Sequence, residues 1–298
     1  MMTYRHYGIQ LLLALLLLVP SLARAETYWD TDFEVGGASD FIDNGWTDFA
    51  GDGFTMCNTW AKTGSRSVCM VFNGSPSSPG GSIYKDIPAA SDFVFGRINI
   101  RHAVGFCCST NTQSKILNWQ GTTSQYPRLW LYLLGLCNGV DQAACTANGS
   151  SNNPQYVFIM EGIYLGTATQ GCTGIGTMTC YSGALATTGT FGDDVEWEYR
   201  LNTPGQSNGI LRLWVNGVLR INKTDGQFRG PTPTSISTGG QANYSTTQLL
   251  QTQIYLQSGV GTRFIDRYAA GSTRIGAVGD LAPSDTTAPT IPTTLGIR

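Results

Sequence analysis

The stretch Val195-Glu196-Trp197-Glu198-Tyr199-Arg200-Leu201-Asn202-Thr203-Pro204-Gly205, continued by Asn208-Gly209-Ile210-Leu211-Arg212-Leu213-Trp214-Val215-Asn216-Gly217, decides the fold class. Its apolar residues recur at every second position. Val195, Trp197, Tyr199 and Leu201 oppose Asp194, Glu196, Glu198 and Arg200, while Leu211, Leu213 and Val215 oppose Arg212, Trp214 and Asn216. Successive side chains of a strand point to opposite faces, so each run reads as a strand with one apolar and one polar face. Asn216-Gly217 then separates the second run from residues 218–222. That dipeptide is the strongest short hairpin signal, because a two-residue turn of this kind needs positive φ at both positions.

The same pattern extends outward. Short alternating runs cover residues 67–72, 93–101, 128–134 and 156–165, separated by Gly, Asn, Ser and Thr clusters, and helical periodicity is nearly absent. This predicts an all-β antiparallel β-sandwich. Residues 75–82 and 135–154 read as loops. Composition agrees: of 298 residues, 37 are glycine, 41% are apolar and 11% aromatic, enough for a core and too many for a disordered chain. Only 13% are charged, the formal charge is −2, and four lysines occur (Lys62, Lys85, Lys115 and Lys223). No basic stripe exists to follow a phosphate backbone, which argues against a nucleic-acid partner.

Residues 1–25 read as a secretory signal peptide. Arg5 and His6 lead an apolar run from Ile9 to Val19, and Ala23-Arg24-Ala25 has the small-x-small pattern of a cleavage site. After cleavage no second apolar run is long enough to span a membrane, and the expectation is a secreted or cell-surface protein. Residues 26–279 form one β domain, and residues 280–298, with their Asp-Thr-Thr-Ala-Pro-Thr-Ile-Pro-Thr-Thr shift, an extended Thr/Pro tail. Export also changes how the cysteines read. Cys57, Cys69, Cys107, Cys108, Cys137, Cys145, Cys172 and Cys180 make an even set in an oxidising compartment, so disulfides are expected. Short separations favour Cys57–Cys69, Cys137–Cys145 and Cys172–Cys180. That choice leaves the vicinal Cys107 and Cys108 to each other, a strained bond, so a shuffled set that joins them to the 137/145 loop stays open.

Several segments together resemble the concanavalin A-like lectin/glucanase superfamily, specifically its bacterial polysaccharide-lyase-like jelly rolls. They are Asp32-Phe33-Glu34, Lys62-Thr63-Gly64-Ser65-Arg66-Ser67, Arg97-Ile98-Asn99-Ile100-Arg101, the 195–217 string, Ile265-Asp266 and Ser272-Thr273-Arg274-Ile275-Gly276. The resemblance implies a jelly roll. It also implies a structural Ca²⁺ where the first and last strands meet, on Glu34 and Asp266, since such ions take hard oxygen ligands. Fold alone does not choose among the lectins, hydrolases, lyases and silent modules of that superfamily.

Strand alternation offers candidate ligand residues independently. In residues 128–134, Leu129, Leu131 and Leu133 face one side and Arg128, Trp130 and Tyr132 the other. In 93–101, Arg97, Asn99 and Arg101 oppose Val94, Ile98 and Ile100. If these strands share one sheet, its open face gathers Arg97, Asn99, Arg101, Arg128, Arg200 and Arg212 with Glu196, Glu198, Trp130, Tyr132 and Trp214. Flat aromatics stack on sugar faces and guanidiniums grip carboxylates in a fork. The plain alternative is a wet sheet face laced with cross-strand ion pairs.

Three readings follow. The first is binding of an extracellular, anionic polysaccharide on that face. The second is a polysaccharide lyase cleaving a uronate-containing glycan by β-elimination, with Arg97 or Arg101 neutralising the carboxylate and Tyr132 moving the protons. The Gln-x-His and Tyr-x-Lys-x-Gly-x-Tyr elements of alginate lyases of this fold are missing. The third is a structural surface or matrix protein. A glycoside hydrolase ranks behind these, because Asp194, Glu196 and Glu198 do not follow the order of the hydrolase signature they approach.

Overall fold

The computed structural model describes residues 27–34, 46–48, 54–73, 81–106, 113–121, 128–135, 154–164, 170–173, 176–185, 191–231, 248–257 and 260–276. Every regular element among them is a strand: β1 (Thr27–Thr31), β2 (Thr47–Asp48), β3 (Phe54–Cys57), β4 (Ser67–Asn73), β5 (Gly81–Ser91), β6 (Phe93–His102), β7 (Gln113–Gly121) and β8 (Arg128–Leu134). There follow β9 (Gln155–Tyr164), β10 (Cys172–Thr173), β11 (Gly176–Tyr181), β12 (Phe191–Arg200), β13 (Gly209–Val215), β14 (Val218–Gly226), β15 (Leu249–Gln257) and β16 (Val260–Gly271). They form two antiparallel sheets. The first runs β14-β13-β12-β6-β16-β4-β3, with β1 also on β16, and the second β10-β11-β9-β8-β7-β15-β5-β2.

The hairpin at 216–217 forms as its residues dictate. Asn216 has φ 51° and Gly217 φ 77°, which suits a type I′ turn, and Val215 faces Val218 across it. Side-chain alternation holds where the sequence set it out in β6, β8, β12 and β13: Leu129, Leu131 and Leu133 enter the core, as do Ile98, Ile100, Val195, Trp197, Leu211 and Leu213. Aromatic rings join the layers. Trp119 of the second sheet lies 5.3 Å from Trp197 of the first, and Trp197 lies 5.7 Å from Tyr268. Gly96 makes room for this, because a Cβ there would stand 2.1 Å from Trp197.

The Asn202-Thr203-Pro204-Gly205 string turns out to be structural. Asn202 is fully buried. Its Nδ2 points at the carbonyls of Thr203, Gln206 and Arg229 (2.9, 2.9 and 3.0 Å), and its Oδ1 accepts the N–H groups of Phe228 and Arg229 (2.7 and 2.6 Å). One side chain thus satisfies backbone groups of two turns that no sheet reaches.

The alternating runs did not mark β1–β3, β5, β7, β10, β11, β15 or β16. The expected loop at 75–82 gives way at Gly81 and Ser82, which begin β5. In β7 and β15 the alternation is interrupted by irregular register, between Lys115 and Leu117 and between Leu249 and Gln251. Adjacent Ile116 and Leu117 are both fully buried. A bulge of this kind breaks the period of two that the reading depended on. Disulfides join Cys57 to Cys69 and Cys172 to Cys180, two of the expected staples. Cys107, Cys108, Cys137 and Cys145, the leader at 1–25 and the tail at 280–298 lie outside the described residues.

Candidate functional site

The premise that one sheet gathers all the candidate ligand residues is overturned. β6, β12 and β13 lie in the first sheet, whereas β8 lies in the second. With both Leu faces buried in the shared core, the polar faces point away from each other. Arg128, Trp130 and Tyr132 therefore sit on the opposite side of the sandwich from Arg97, Asn99, Arg101, Glu196, Glu198, Arg200, Arg212 and Trp214. Tyr132 cannot act on a substrate held by Arg97 or Arg101.

On the first sheet most of the expected groups are already engaged with one another. Glu198 accepts from Arg200 (3.1 Å) and from its cross-strand neighbour Arg212 (2.8 Å). Glu196, 1% exposed, is gripped by both Nε and Nη2 of Arg274 (3.1 and 3.0 Å) and by the Gly276 N–H at 3.1 Å. The Arg274 guanidinium also lies 4.3 Å from the Trp214 ring centroid, so residues 272–276 occupy this part of the face. Arg97 is fully buried, donates to the Gly276 carbonyl and stands 3.6 Å from Asp30. These contacts match the ion-paired alternative for Glu196, Glu198, Arg200 and Arg212.

Glu34 and Asp266, the pair that the resemblance offers to calcium, clamp the turn at 62–67. Glu34 Oε1 accepts the N–H groups of Ser65 and Arg66, its Oε2 the Ser65 hydroxyl. Asp266 Oδ2 accepts the N–H groups of Lys62 and Thr63, its Oδ1 that of Arg267. Gly64 (φ 68°) carries the turn over the Glu34 carboxylate, where a Cβ would stand 2.4 Å away. Burial raises the Asp266 pKa, offset in part by those backbone donors, while the donors around Glu34 outweigh its desolvation and lower its pKa. All four carboxylate oxygens face protein N–H or O–H groups, which take the place of a positive ion. Calcium needs about six to eight oxygen ligands, and this donor set does not fit it.

The second sheet carries a different arrangement. Trp130 and Tyr132 lie on the side of β8 away from the inter-sheet cluster, both buried (1% and 5% exposed), with ring centroids 6.1 Å apart. The Lys115 ammonium, on the cross-strand neighbour of Tyr132, lies 4.0 Å from the Trp130 centroid and 5.1 Å from that of Tyr255. Arg128 approaches the same indole at 5.5 Å. Asn118 donates a 3.4 Å hydrogen bond to Gln253, directly opposite on β15. Two cations, two phenols and two amides thus surround one indole. The sequence reading named Arg128, Trp130 and Tyr132 here and missed Lys115, Asn118, Gln253 and Tyr255, all on the two strands whose bulges hid them.

From beneath, Arg263 of β16 supports this face. It is fully buried and crosses the core, its Nη1 donating to the Lys115 carbonyl and its Nη2 to the Ser114 hydroxyl, both at 2.6 Å. Tyr156 makes the reverse crossing, donating to Asp193 at 3.0 Å.

No family model matches the chain, and no curated protein matches it in sequence. Solved structures do resemble it. An endo-β-1,4-glucuronan lyase from the fungus Trichoderma reesei superposes with TM-score 0.54 at 10% identity, covering 83% of this chain and 96% of the other. A PL-14 alginate lyase from the marine Aplysia kurodai gives 0.53 at 11% identity, over 83% and 99%. An alginate lyase from Chlorella virus gives 0.50 at 12%, over 76% and 92%. At such identities the likeness speaks for architecture alone: the chain has the concanavalin A-like jelly-roll fold that these polysaccharide lyases share.

Proposed function

We propose that this chain is a secreted polysaccharide lyase acting on a uronate-containing glycan, with its site on the outer face of the second sheet. One observation carries the reading: the Lys115 ammonium sits 4.0 Å from Trp130 and 5.1 Å from Tyr255, cross-strand from Tyr132. β-Elimination needs a positive group on the uronate carboxylate, a base for the C5 proton and an acid for the leaving oxygen. Lys115 and Arg128 supply the positive charge, and the phenols of Tyr132 and Tyr255 supply base and acid. As the base takes the C5 proton, the C4–O bond breaks, a C4=C5 double bond forms and the acid protonates the departing oxygen. Trp130, itself 1% exposed, lies beneath the Lys115 ammonium and helps hold that charge at the face. The likeness in fold to lyases of glucuronan and alginate supports the substrate class, and the two disulfides with the apolar leader support export.

The double bond absorbs in the ultraviolet. Incubation with alginate, glucuronan, pectate and heparin is expected to give rising absorbance on at least one, lost in Tyr132→Phe and Lys115→Met. No absorbance on any of the four overturns the lyase reading, and retention of a glycan without absorbance replaces it with binding alone.

A further inference from the structure

A separate pocket of about 210 Å³ opens on the outer face of the first sheet, on the far side of the sandwich from the proposed lyase site. Its walls include Trp60, Lys62, Asn99, Arg101, Gly192 and Asp194. The hollow exists because Gly192 stands directly opposite Arg101 in the β12–β6 pairing and contributes no side chain to the floor.

Two polar atoms in this pocket are buried without a hydrogen-bond partner among the described residues: Asn99 Oδ1 and Arg101 Nε. Asn99 is 1% exposed. Its amide orientation is fixed, because Nδ2 donates to the Asp194 carboxylate and the flipped amide would set oxygen against oxygen. Arg101 has no carboxylate within ion-pair distance among the described residues, in contrast to Arg200, Arg212, Arg267 and Arg274 on the same face. Its guanidinium lies 5.6 Å from the Trp60 centroid. Lys62 is held at 3.6 Å from Asp194. Buried polar atoms left unpaired cost free energy, and an uncompensated guanidinium beside an indole favours a ligand with both an anionic and an apolar side.

We propose that this pocket is a second carbohydrate site, holding a single carboxylated sugar residue of an acidic glycan. The sugar carboxylate meets Arg101, its hydroxyls donate to Asn99 Oδ1 and Asp194, and its C–H face packs on Trp60. The site is independent of the lyase reading, since it shares no residue with the second sheet's face. It gives the chain a hold on the polymer away from the place of cleavage.

The test is calorimetric titration with trigalacturonate, using neutral cellotriose as control, on the full secreted chain carrying Tyr132→Phe so that the probe is not consumed. Gly192→Val plugs the floor without backbone strain: a Cβ at this position meets nothing nearer than the Ile100 carbonyl oxygen at 3.6 Å. Arg101→Ala removes the anion partner. Both are expected to keep the parent melting temperature, and each to remove one binding event or weaken it about tenfold or more, while cellotriose gives no heat at this site. Should the second sheet bind nothing, the stoichiometry falls from one to zero in Gly192→Val, rather than from two to one, so failure of the lyase reading stays distinguishable. Unchanged stoichiometry and affinity in both variants, or equal binding of cellotriose, overturns the proposal.

Discussion

Nε of Arg263 donates a 3.0 Å hydrogen bond to Nε2 of His102, with both residues fully buried between the sheets. The bond requires an imidazole that accepts, and the surroundings enforce it: burial first, and then the neighbouring guanidinium, hold the His102 pKa well below 6.5. His102 therefore stays neutral in the folded protein where it would be protonated in the unfolded chain. The same guanidinium reaches across to Lys115, so a core pair underpins the strand that presents the proposed site.

This pair gives stability a pH dependence of definite sign. Above about pH 6.5 the imidazole is neutral in both states and the contribution is intact. As pH falls below that value the unfolded chain takes up a proton that the folded one refuses, so stability declines, by at most about 1.4 kcal/mol per pH unit, until the depressed folded pKa is reached. Urea unfolding of the parent and of His102→Gln between pH 7 and pH 5 checks this. The variant keeps an acceptor for Arg263 and is expected to lack that part of the slope; identical slopes would count against it.

Gly96 is expected to be intolerant of even a methyl group. Alanine ordinarily stabilises a strand glycine by about 0.4–1 kcal/mol through the unfolded chain. Here its Cβ would collide with the Trp197 ring, which is 1% exposed and packed on Trp119. Overpacking costs about 1–3 kcal/mol and wins. Gly96→Ala should lower the denaturation midpoint with little change in its m-value.

Asn202 should be harder to replace by Asp than its shape implies. Aspartate keeps the acceptor for Phe228 and Arg229 but turns an oxygen towards three carbonyls that now face Nδ2. A loss of about 3 kcal/mol or more is expected for Asn202→Asp, read from chemical denaturation; a loss below about 1 kcal/mol would contradict the buried network.

The two tryptophans that strand alternation placed together should now behave differently. Trp214 is covered by Arg274, so Trp214→Ala is expected to leave both product formation and glycan retention unchanged. Lys115→Met, on the second sheet beside Trp130, should abolish product formation while leaving the melting temperature near that of the parent. Equal loss in both variants would mean that the site lies elsewhere.

How much of this was legible in advance depends on the range of the interaction. The 216–217 hairpin, the two short disulfides and the inward or outward sense of Trp130, Arg97, Glu196 and Trp214 could all be read from neighbouring residues. β7 and β15 could not, because a bulge puts adjacent residues such as Ile116 and Leu117 on the buried side and erases the alternation. The proposed site was half visible for that reason: Arg128, Trp130 and Tyr132 lie on a regular strand, Lys115, Asn118, Gln253 and Tyr255 on irregular ones. The 202–205 string stood out as a motif, yet its conspicuous asparagine serves the backbone of two turns.

The primary structure alone determined an all-β chain and, in the regular strands such as β6, β8, β12 and β13, which side chains turn inward, because the peptide unit itself imposes a period of two. Only the tertiary structure decided which strands lie side by side. Strand β8 pairs with β7 and β9, and β6 with β12 and β16, through backbone hydrogen bonds that carry no record of side-chain identity. Partner choice rests instead on how whole apolar faces pack across the core. That packing put Tyr132 and Arg101, which alternation had set on one surface, on opposite sides of the molecule.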